Sequence, residues 1–287
     1  MKSGLVLEGG GMRGLYTAGA LEYFLDNEIY FPYVIGVSSG ASIACSYLSR
    51  QKGRNKEVNI GLINDPRFIS LKNLWTEKSL FGMNFLFHEV PRNIIPLHIE
   101  PFHQNGQQFV IGTTDCKTGS AHYISYPNQD DDLFAAVRAS SSLPMLSPIV
   151  SYKGFELLDG GVADPIPINK SMKDGNNANI VILTREKGYR KKPFSLGRVA
   201  RRFYKQYPAL VQAMIDRPRK YNETLAYIEK LENDGQVKVL RPSADVRVKR
   251  TEKSARKLEN IYDAGYKDAG RLHHLHPEWF KIKHNII

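Results

Sequence analysis

Two strand-to-helix junctions in the first fifty residues, each lined with glycine, constrain the fold more than anything else in the chain. In the first, apolar Gly4-Leu5-Val6-Leu7 runs into Glu8-Gly9-Gly10-Gly11-Met12-Arg13-Gly14. Leu15 to Leu25 follows, with Leu15, Ala18, Leu21, Phe24 and Leu25 on one broad apolar face, the spacing of an amphipathic helix. In the second, Tyr33 to Val37 reads as a strand, Gly36-Val37-Ser38-Ser39-Gly40 as a sharp turn, and Ala41 to Leu48 as the helix that leaves it. Strand and helix alternating in this way build a sheet with helices packed on its faces, the α/β class.

The rest of the chain extends that pattern. Gln107 to Thr114 and Ala121 to Tyr126 read as a strand pair about Lys117-Thr118-Gly119-Ser120. Asp130 to Ala139 reads as a helix, Phe155 to Leu158 as a strand entering Asp159-Gly160-Gly161, and Asn179 to Thr184 as an apolar strand suited to a sheet interior. Helices are expected over Leu196 to Met214 and Tyr221 to Asn233, a strand over Gln236 to Leu240, and a long charged helix over Glu252 to His273. Between Gly53 and Pro101 the pattern is irregular. Its aromatics Trp75, Phe81, Phe85 and Phe87 suit either the lining or lid of an apolar channel or a satellite core.

A length of 287 residues with 42% hydrophobic content supports a sizeable core and excludes a disordered chain. The net charge is +11, and the excess is concentrated. Arg185 to Lys220 holds twelve Lys or Arg against Glu186 and Asp216. Such a stretch fits anionic lipid headgroups, nucleic acid or an ordinary solvated face. Two cysteines, Cys45 and Cys116, make neither a disulfide framework nor a metal-ligand set, and Cys45 is expected as a buried thiol. His273, His274, His276 and His284 share no convincing ligand spacing with a carboxylate or cysteine. No secretory signal is read in the first residues, and no run of 18 apolar residues occurs. The expected setting is therefore the cytoplasm, with peripheral contact at the inner face of the membrane.

Three features can carry chemistry: the glycine loop, Ser38 and Asp159. Gly36-Val37-Ser38-Ser39-Gly40 is a Gly-x-Ser-x-Gly box in the strand-turn-helix context that lifts a serine above a sheet. The plainer alternative is a tight glycine turn with a helix-capping serine. Gly9-x-Gly11-x-x-Gly14 satisfies a dinucleotide pattern, but the acids that would bind a ribose, Asp26 and Glu28, come early, and no P-loop lysine and hydroxyl follow. The loop suits an oxyanion hole better, with the N–H groups of Gly10, Gly11 and Met12 aimed at the oxygen that turns negative when a serine attacks an ester. A serine needs a base. The late histidines sit in a charged tail, and His88, His98, His103 and His122 remain open on spacing. Asp159, at a strand end and followed by two glycines, is better placed, provided that desolvation raises its basicity.

Taken in order, these segments resemble the patatin-like phospholipase family, in particular its bacterial members. Gly9 to Gly14 is similar to its oxyanion loop, Gly36 to Gly40 to its nucleophile elbow, Ala136-Val137-Arg138-Ala139-Ser140-Ser141-Ser142-Leu143-Pro144 to its third block, and Asp159-Gly160-Gly161 to its aspartate motif. The resemblance covers Leu5 to about Ile182. It implies a three-layer α/β/α fold with a mostly parallel sheet, a catalytic core over residues 1–185 and a basic, mostly helical region over 186–287. It also implies Ser38 as nucleophile and Asp159 as base, oxyanion donors at Gly10, Gly11 and Met12 with Arg13 in support, and no metal or other cofactor. The family's usual acid before the loop is Asp. This chain has Glu8, read as a loop-positioning residue. The expected activity is hydrolysis of fatty-acyl esters of lipids, with contact to anionic membranes and none to nucleic acid. The alternative is an inactive α/β scaffold that binds membranes or nucleotides.

Overall fold

The computed structural model describes residues 2–128, 132–244, 246 and 248–281. Eight strands form one sheet: β1 (Ser3–Leu7), β2 (Tyr33–Val37), β3 (Gln108–Asp115), β4 (Ala121–Tyr126), β5 (Val150–Tyr152), β6 (Phe155–Asp159), β7 (Ala178–Ile182) and β8 (Val237–Leu240). The order is β5-β6-β3-β2-β1-β7-β8, with β4 on the other edge of β3. β3, β2, β1, β7 and β8 run parallel, β4 and β6 run antiparallel to β3, and β5 pairs antiparallel with β6. The principal helices are α1 (Leu15–Asp26), α2 (Ser39–Leu48), α3 (Leu133–Ser140), α4 (Gly197–Phe203), α5 (Pro208–Asn233) and α6 (Ala255–Leu275).

Strands buried on both faces read as unbroken apolar runs, and alternate residues of β1 show where they go. Leu5 and Leu7 join one core with α1, α2 and α6, whereas Val6 joins a second with Tyr221, Leu225, Ile228 and Leu231 of α5. The result is the three-layer α/β/α arrangement with a mostly parallel central sheet and a helical C-terminal part. β8 continues the sheet beyond β7, and α6 lies against α1. That helix pair crosses at two glycines. A Cβ on Gly19 would stand 1.8 Å from the Tyr262 carbonyl oxygen, and one on Gly265 would stand 1.9 Å from that of Tyr16. Around the crossing, the Tyr16 hydroxyl donates to Asp268 (2.9 Å) and the Tyr266 hydroxyl to Asp26 (2.9 Å).

Several boundaries differ from the sequence reading. The helix expected from Asp130 begins at Leu133, where Asp132 caps it by accepting from the Phe134 and Ala135 N–H groups; Asp130 lies outside the described residues. The two helices expected over 196–214 and 221–233 divide elsewhere. α4 ends at Phe203, and α5 starts with Pro208, whose missing N–H costs nothing in a first turn. α5 then runs unbroken through Pro218. An interior proline costs a helix about 3 kcal/mol or more, and the burial of Tyr221, Leu225, Ile228 and Leu231 against the sheet offsets it. β5 was not foreseen. It pairs with β6 through Lys153-Gly154, both at positive φ (45° and 81°) as a tight hairpin turn requires.

Replacing Gly19 by alanine forces the two helix backbones apart at their crossing. Its unfolding free energy in urea should fall by about 1–3 kcal/mol, the usual cost of overpacking. Gly197→Ala, where a Cβ meets nothing nearer than 3.7 Å, should change it by less than about 0.5 kcal/mol.

Candidate active site

One edge of β3 is occupied throughout by β4, so β2 and β6 must share the other. β2 ends with Val37 opposite Gly112, and β6, arriving from the opposite direction, ends with Asp159 opposite Thr113. Ser38, the residue after Val37, and Asp159 are thereby delivered to neighbouring positions on the sheet from strands more than a hundred residues apart. Both line one cavity of about 300 Å³.

Ser38 sits at φ 56°, ψ −126°, a region that costs a non-glycine residue on the order of 1–3 kcal/mol. Three bonds hold it there. Its N–H donates to Ser140 Oγ (2.8 Å), the Ser140 hydroxyl donates to the Gly112 carbonyl (2.6 Å), and its own carbonyl accepts from Ser42 N–H as α2 begins (3.1 Å). Ser140 comes from the third block noted in the sequence, and this bridge is what the block does for Ser38. Gly9 leaves no room for a side chain, since a Cβ there would lie 2.8 Å from both the Ser38 Cβ and the Val37 carbonyl oxygen.

Asp159 is 2% exposed. Its Oδ1 accepts from Gly161 N–H (2.8 Å), its backbone N–H donates to the Ser142 carbonyl (2.8 Å), and Oδ2 has no hydrogen-bond partner. Among the described residues, the cavity lining contains no histidine. His122 stacks on Phe155 with centroids 4.1 Å apart, and His103 meets the Tyr126 hydroxyl (3.3 Å). His273 packs against Phe280, and His276 lies 3.5 Å from Glu278. His284 lies outside the described residues. Among the described residues, no group of three or more His, Cys, Asp or Glu is placed to hold a metal. Cys45 and Cys116 are both buried, which pushes each thiol up to about 12.

The glycine loop departs from expectation in one respect. Gly10 N–H donates to Ser39 Oγ (2.8 Å) and Met12 N–H to the Arg250 carbonyl (3.0 Å). Two of the three anticipated oxyanion donors are therefore engaged within the protein, because Gly11–Gly14 winds into a 3-10 turn that points them at α2 and at the segment before α6. Among the described residues Gly11 N–H makes neither kind of bond, and its φ of 58° suits glycine. Glu8 is buried with both oxygens engaged: Oε2 accepts from Thr184 N–H (2.6 Å) and Oε1 from the Tyr221 hydroxyl (2.8 Å). It ties the loop to β7 and α5, the positioning role read from the sequence.

The basic stretch divides. Arg190 pairs with Glu229 and Arg219 with Glu223, while Arg198, Arg201 and Arg202 are exposed on α4. Arg185, Lys191 and Arg217 instead line the cavity with Arg13 and Arg250. Arg217 Nε donates to the Gly161 carbonyl, Lys191 lies 3.9 Å from the centre of the Tyr221 ring, and Arg13 Nε is buried without a partner. Burial, then Arg185 and Arg250, pushes Arg13 down to about 10. Burial, then Arg217, pushes Lys191 down to about 7. Sequence reasoning did not find these roles: the stretch gave only a charge count, and Arg250 stands outside it. Of the aromatics, Phe81 and Phe87 line the cavity with Phe68, Met83 and Leu86, whereas Phe85 is core and Trp75 is 91% exposed.

Lys191 binds its proton less tightly in the folded than in the unfolded chain, so stability should rise with pH between about 7 and the ordinary lysine value of 10.5. The groups acting on it are Arg13, Arg217, Arg250, Glu8 and the Tyr221 ring. Lys191→Met removes the buried charge, and its melting-temperature difference from wild type should be more favourable at pH 6 than at pH 9.

A model of the patatin-like phospholipase family matches residues 5–170, and a domain of unknown function (DUF6363) matches residues 207–281. The "Uncharacterized protein YjjU" of Escherichia coli (strain K12) is 27% identical over 185 residues, 63% of this chain and 51% of that protein. The "Probable lipid hydrolase 463L" of Invertebrate iridescent virus 6 is 29% identical over 194 residues, 61% of this chain and 65% of that protein. The matched region thus spans about half to two thirds of the length of these relatives, one bacterial and one viral. VipD from Legionella pneumophila superposes over 96% of this chain and 67% of its own, with a TM-score of 0.48 at 13% identity. With the family's model covering more than half of its residues, glycine loop, serine elbow and Asp159-Gly160-Gly161 included, the chain belongs to the patatin-like phospholipase family.

Proposed function

We propose that the protein is a serine acyl hydrolase of fatty-acyl lipid esters, working through a Ser38–Asp159 dyad and an acyl-enzyme. The observation that carries this reading is Asp159 Oδ2, a buried carboxylate oxygen with no partner, in a cavity that also exposes Ser38 and, among the described residues, holds no histidine. Ser38 Oγ attacks the ester carbonyl carbon while its proton passes to Asp159 Oδ2. The carbonyl electron pair moves to oxygen, which accepts from Gly11 N–H, with Arg13 close by. Collapse expels the alcohol with the proton from Asp159. Asp159 then takes a proton from water as it attacks the acyl-enzyme, and the second collapse releases the fatty acid while Asp159 returns that proton to Ser38 Oγ. Gly10 and Met12, anticipated as donors, hold the loop in shape through Ser39 and Arg250. The apolar lining from Phe68 to Phe87 receives the acyl chain. Residues 1–185 and 186–287 form one catalytic unit in this reading, since Tyr221, Arg217 and Arg250 each bond to the loops of the site.

A fluorophosphonate probe should label wild type and not Ser38→Ala. Ester turnover should fall by about a thousandfold or more in Ser38→Ala and by at least about a hundredfold in Asp159→Asn. Labelling of Ser38→Ala equal to wild type, or full turnover by Asp159→Asn, would move the nucleophile or the base elsewhere.

We also infer peripheral attachment to anionic membranes through α4. Among the described residues no helix is long and apolar enough to cross a bilayer. α4 and the residue before it leave Leu196, Val199 and Phe203 exposed at helical spacing, with Phe203 at 66%, beside exposed Arg198, Arg201 and Arg202. An apolar stripe edged with arginine suits an interfacial helix drawn to negative surface potential. Flotation at low salt should recover the protein with phosphatidylserine-containing vesicles and not with neutral ones, and reversing the three arginines to Glu should abolish recovery. Equal binding to both vesicle types would rule the attachment out.

A further inference from the structure

The lining of the cavity is unbalanced in charge. Five cations face it from four parts of the chain: Arg13 after β1, Arg185 and Lys191 after β7, Arg217 on α5, and Arg250 before α6. The acids on the same lining are Glu8 and Asp159. Both oxygens of Glu8 are already taken by Thr184 N–H and the Tyr221 hydroxyl, and one of Asp159 by Gly161 N–H. Among the described residues none of the five cations forms an ion pair, although Arg67, Arg190, Arg219, Arg241 and Arg271 elsewhere all do.

The cations are also close to one another. Arg250 acts on Arg13, Lys191 and Arg217, and Arg185 acts on Arg13, each lowering the partner's hold on its proton. Gathering like charges in a partly buried space is costly unless an opposite charge joins them. Here the lining supplies two against five cations, Glu8 acting on Arg13, Lys191 and Arg217, and Asp159 on Arg217. Guanidinium groups present planar forks that match the oxygens of a phosphate, and several can share its three terminal oxygens. The neighbouring apolar wall of Val58, Phe68, Phe81, Met83, Leu86 and Phe87 fits a hydrocarbon chain.

Building on the hydrolase reading above, we propose that Arg13, Arg185, Lys191, Arg217 and Arg250 form a phosphate subsite, so that the preferred substrate is an acyl ester bearing a phosphomonoester, such as an acylglycerol phosphate, rather than a neutral ester. The C-terminal residues Lys191, Arg217 and Arg250 are then specificity determinants that the glycine loop and the dyad do not provide. The phosphate dianion supplies counter-charge for the excess of cations that Glu8 and Asp159 leave unmatched.

The test compares 1-acylglycerol 3-phosphate with the monoacylglycerol of the same chain. Wild type should show at least a tenfold higher kcat/KM for the phosphate ester. That ratio should fall tenfold or more in Arg185→Gln and in Lys191→Gln, which remove charge without touching Ser38 or Asp159. A second arm does not require turnover. Acylglycerol phosphate should raise the melting temperature of Ser38→Ala protein more than either monoacylglycerol or inorganic phosphate at equal concentration. Hydrolysis of both esters with a ratio near one, unchanged in the two variants, overturns the subsite and leaves the hydrolase standing. Hydrolysis of neither ester removes the hydrolase reading, and the thermal shift then decides the subsite alone. Stabilisation by inorganic phosphate equal to that by the lipid assigns the cluster to free phosphate and overturns the substrate proposal.

Discussion

β3 has two edges and three partners, and the site follows from how they share them. With β4 along one edge, β2 and β6 divide the other, and their ends abut at Gly112 and Thr113. Two strands running toward each other along one edge cannot both continue. Each must leave the sheet at the junction, and the residues on which they do so are Ser38 and Asp159-Gly160. The departure of β2 requires the strained backbone of Ser38, and the bonds that hold it run back to β3 itself through Ser140 and the Gly112 carbonyl. Positioning thus comes from backbone register and one bridging hydroxyl on rigid elements, where placement is more exact than on free loops.

The C-terminal third enters the same system at three points. Tyr221 completes the coordination of Glu8, Arg217 meets the Gly161 carbonyl beside Asp159, and the Arg250 carbonyl takes the Met12 N–H. Each contact lands on a residue next to or within one of the motifs between Gly9 and Gly161. The glycine loop, which in the proposed hydrolase must keep an N–H aimed at developing charge, is therefore held from the far end of the chain. The extra sheet strand β8 and the glycine-to-glycine crossing of α6 on α1 fix that end in place.

What the sequence disclosed, and what it withheld, divides along the range of the interactions. β1, β2 and β6 could be read because each is a short run with a glycine-lined exit, and β7 from its apolar, β-branched run alone; Ser38 and Asp159 could be read because they stand at two of those exits. The engagement of Gly10 and Met12 N–H could not be read, since their acceptors, Ser39 Oγ and the Arg250 carbonyl, lie 29 and 238 positions away. The sequence reading ended one helix at Met214 and began the next at Tyr221, whereas burial against the sheet, which periodicity cannot weigh, carries α5 from Pro208 through Pro218 to Asn233. The basic stretch was visible as a count. Whether a lysine faces solvent or a cavity depends on turns after β7 that carry no pattern, so Lys187 and Lys191, four residues apart, went to opposite fates.

The charge in the cavity also bears on how the proposed chemistry divides between binding and catalysis. When Ser38 attacks, its proton neutralises Asp159 and a new negative charge forms on the ester oxygen. The net charge of the site is therefore unchanged. It moves by a short distance. A cation cluster that senses both positions lowers the energies of ground state and transition state nearly alike, and only the difference accelerates the reaction. The five cations are thus better suited to holding an anionic substrate than to speeding its cleavage. The differential stabilisation falls to groups with direction, namely the Gly11 N–H on the receiving side and the unpartnered Oδ2 of Asp159 on the giving side. A phosphate seated among the cations would sharpen that division, because it cancels their field without disturbing the two oriented groups. Catalysis by dipoles and recognition by net charge then occupy one cavity and remain separable by mutation.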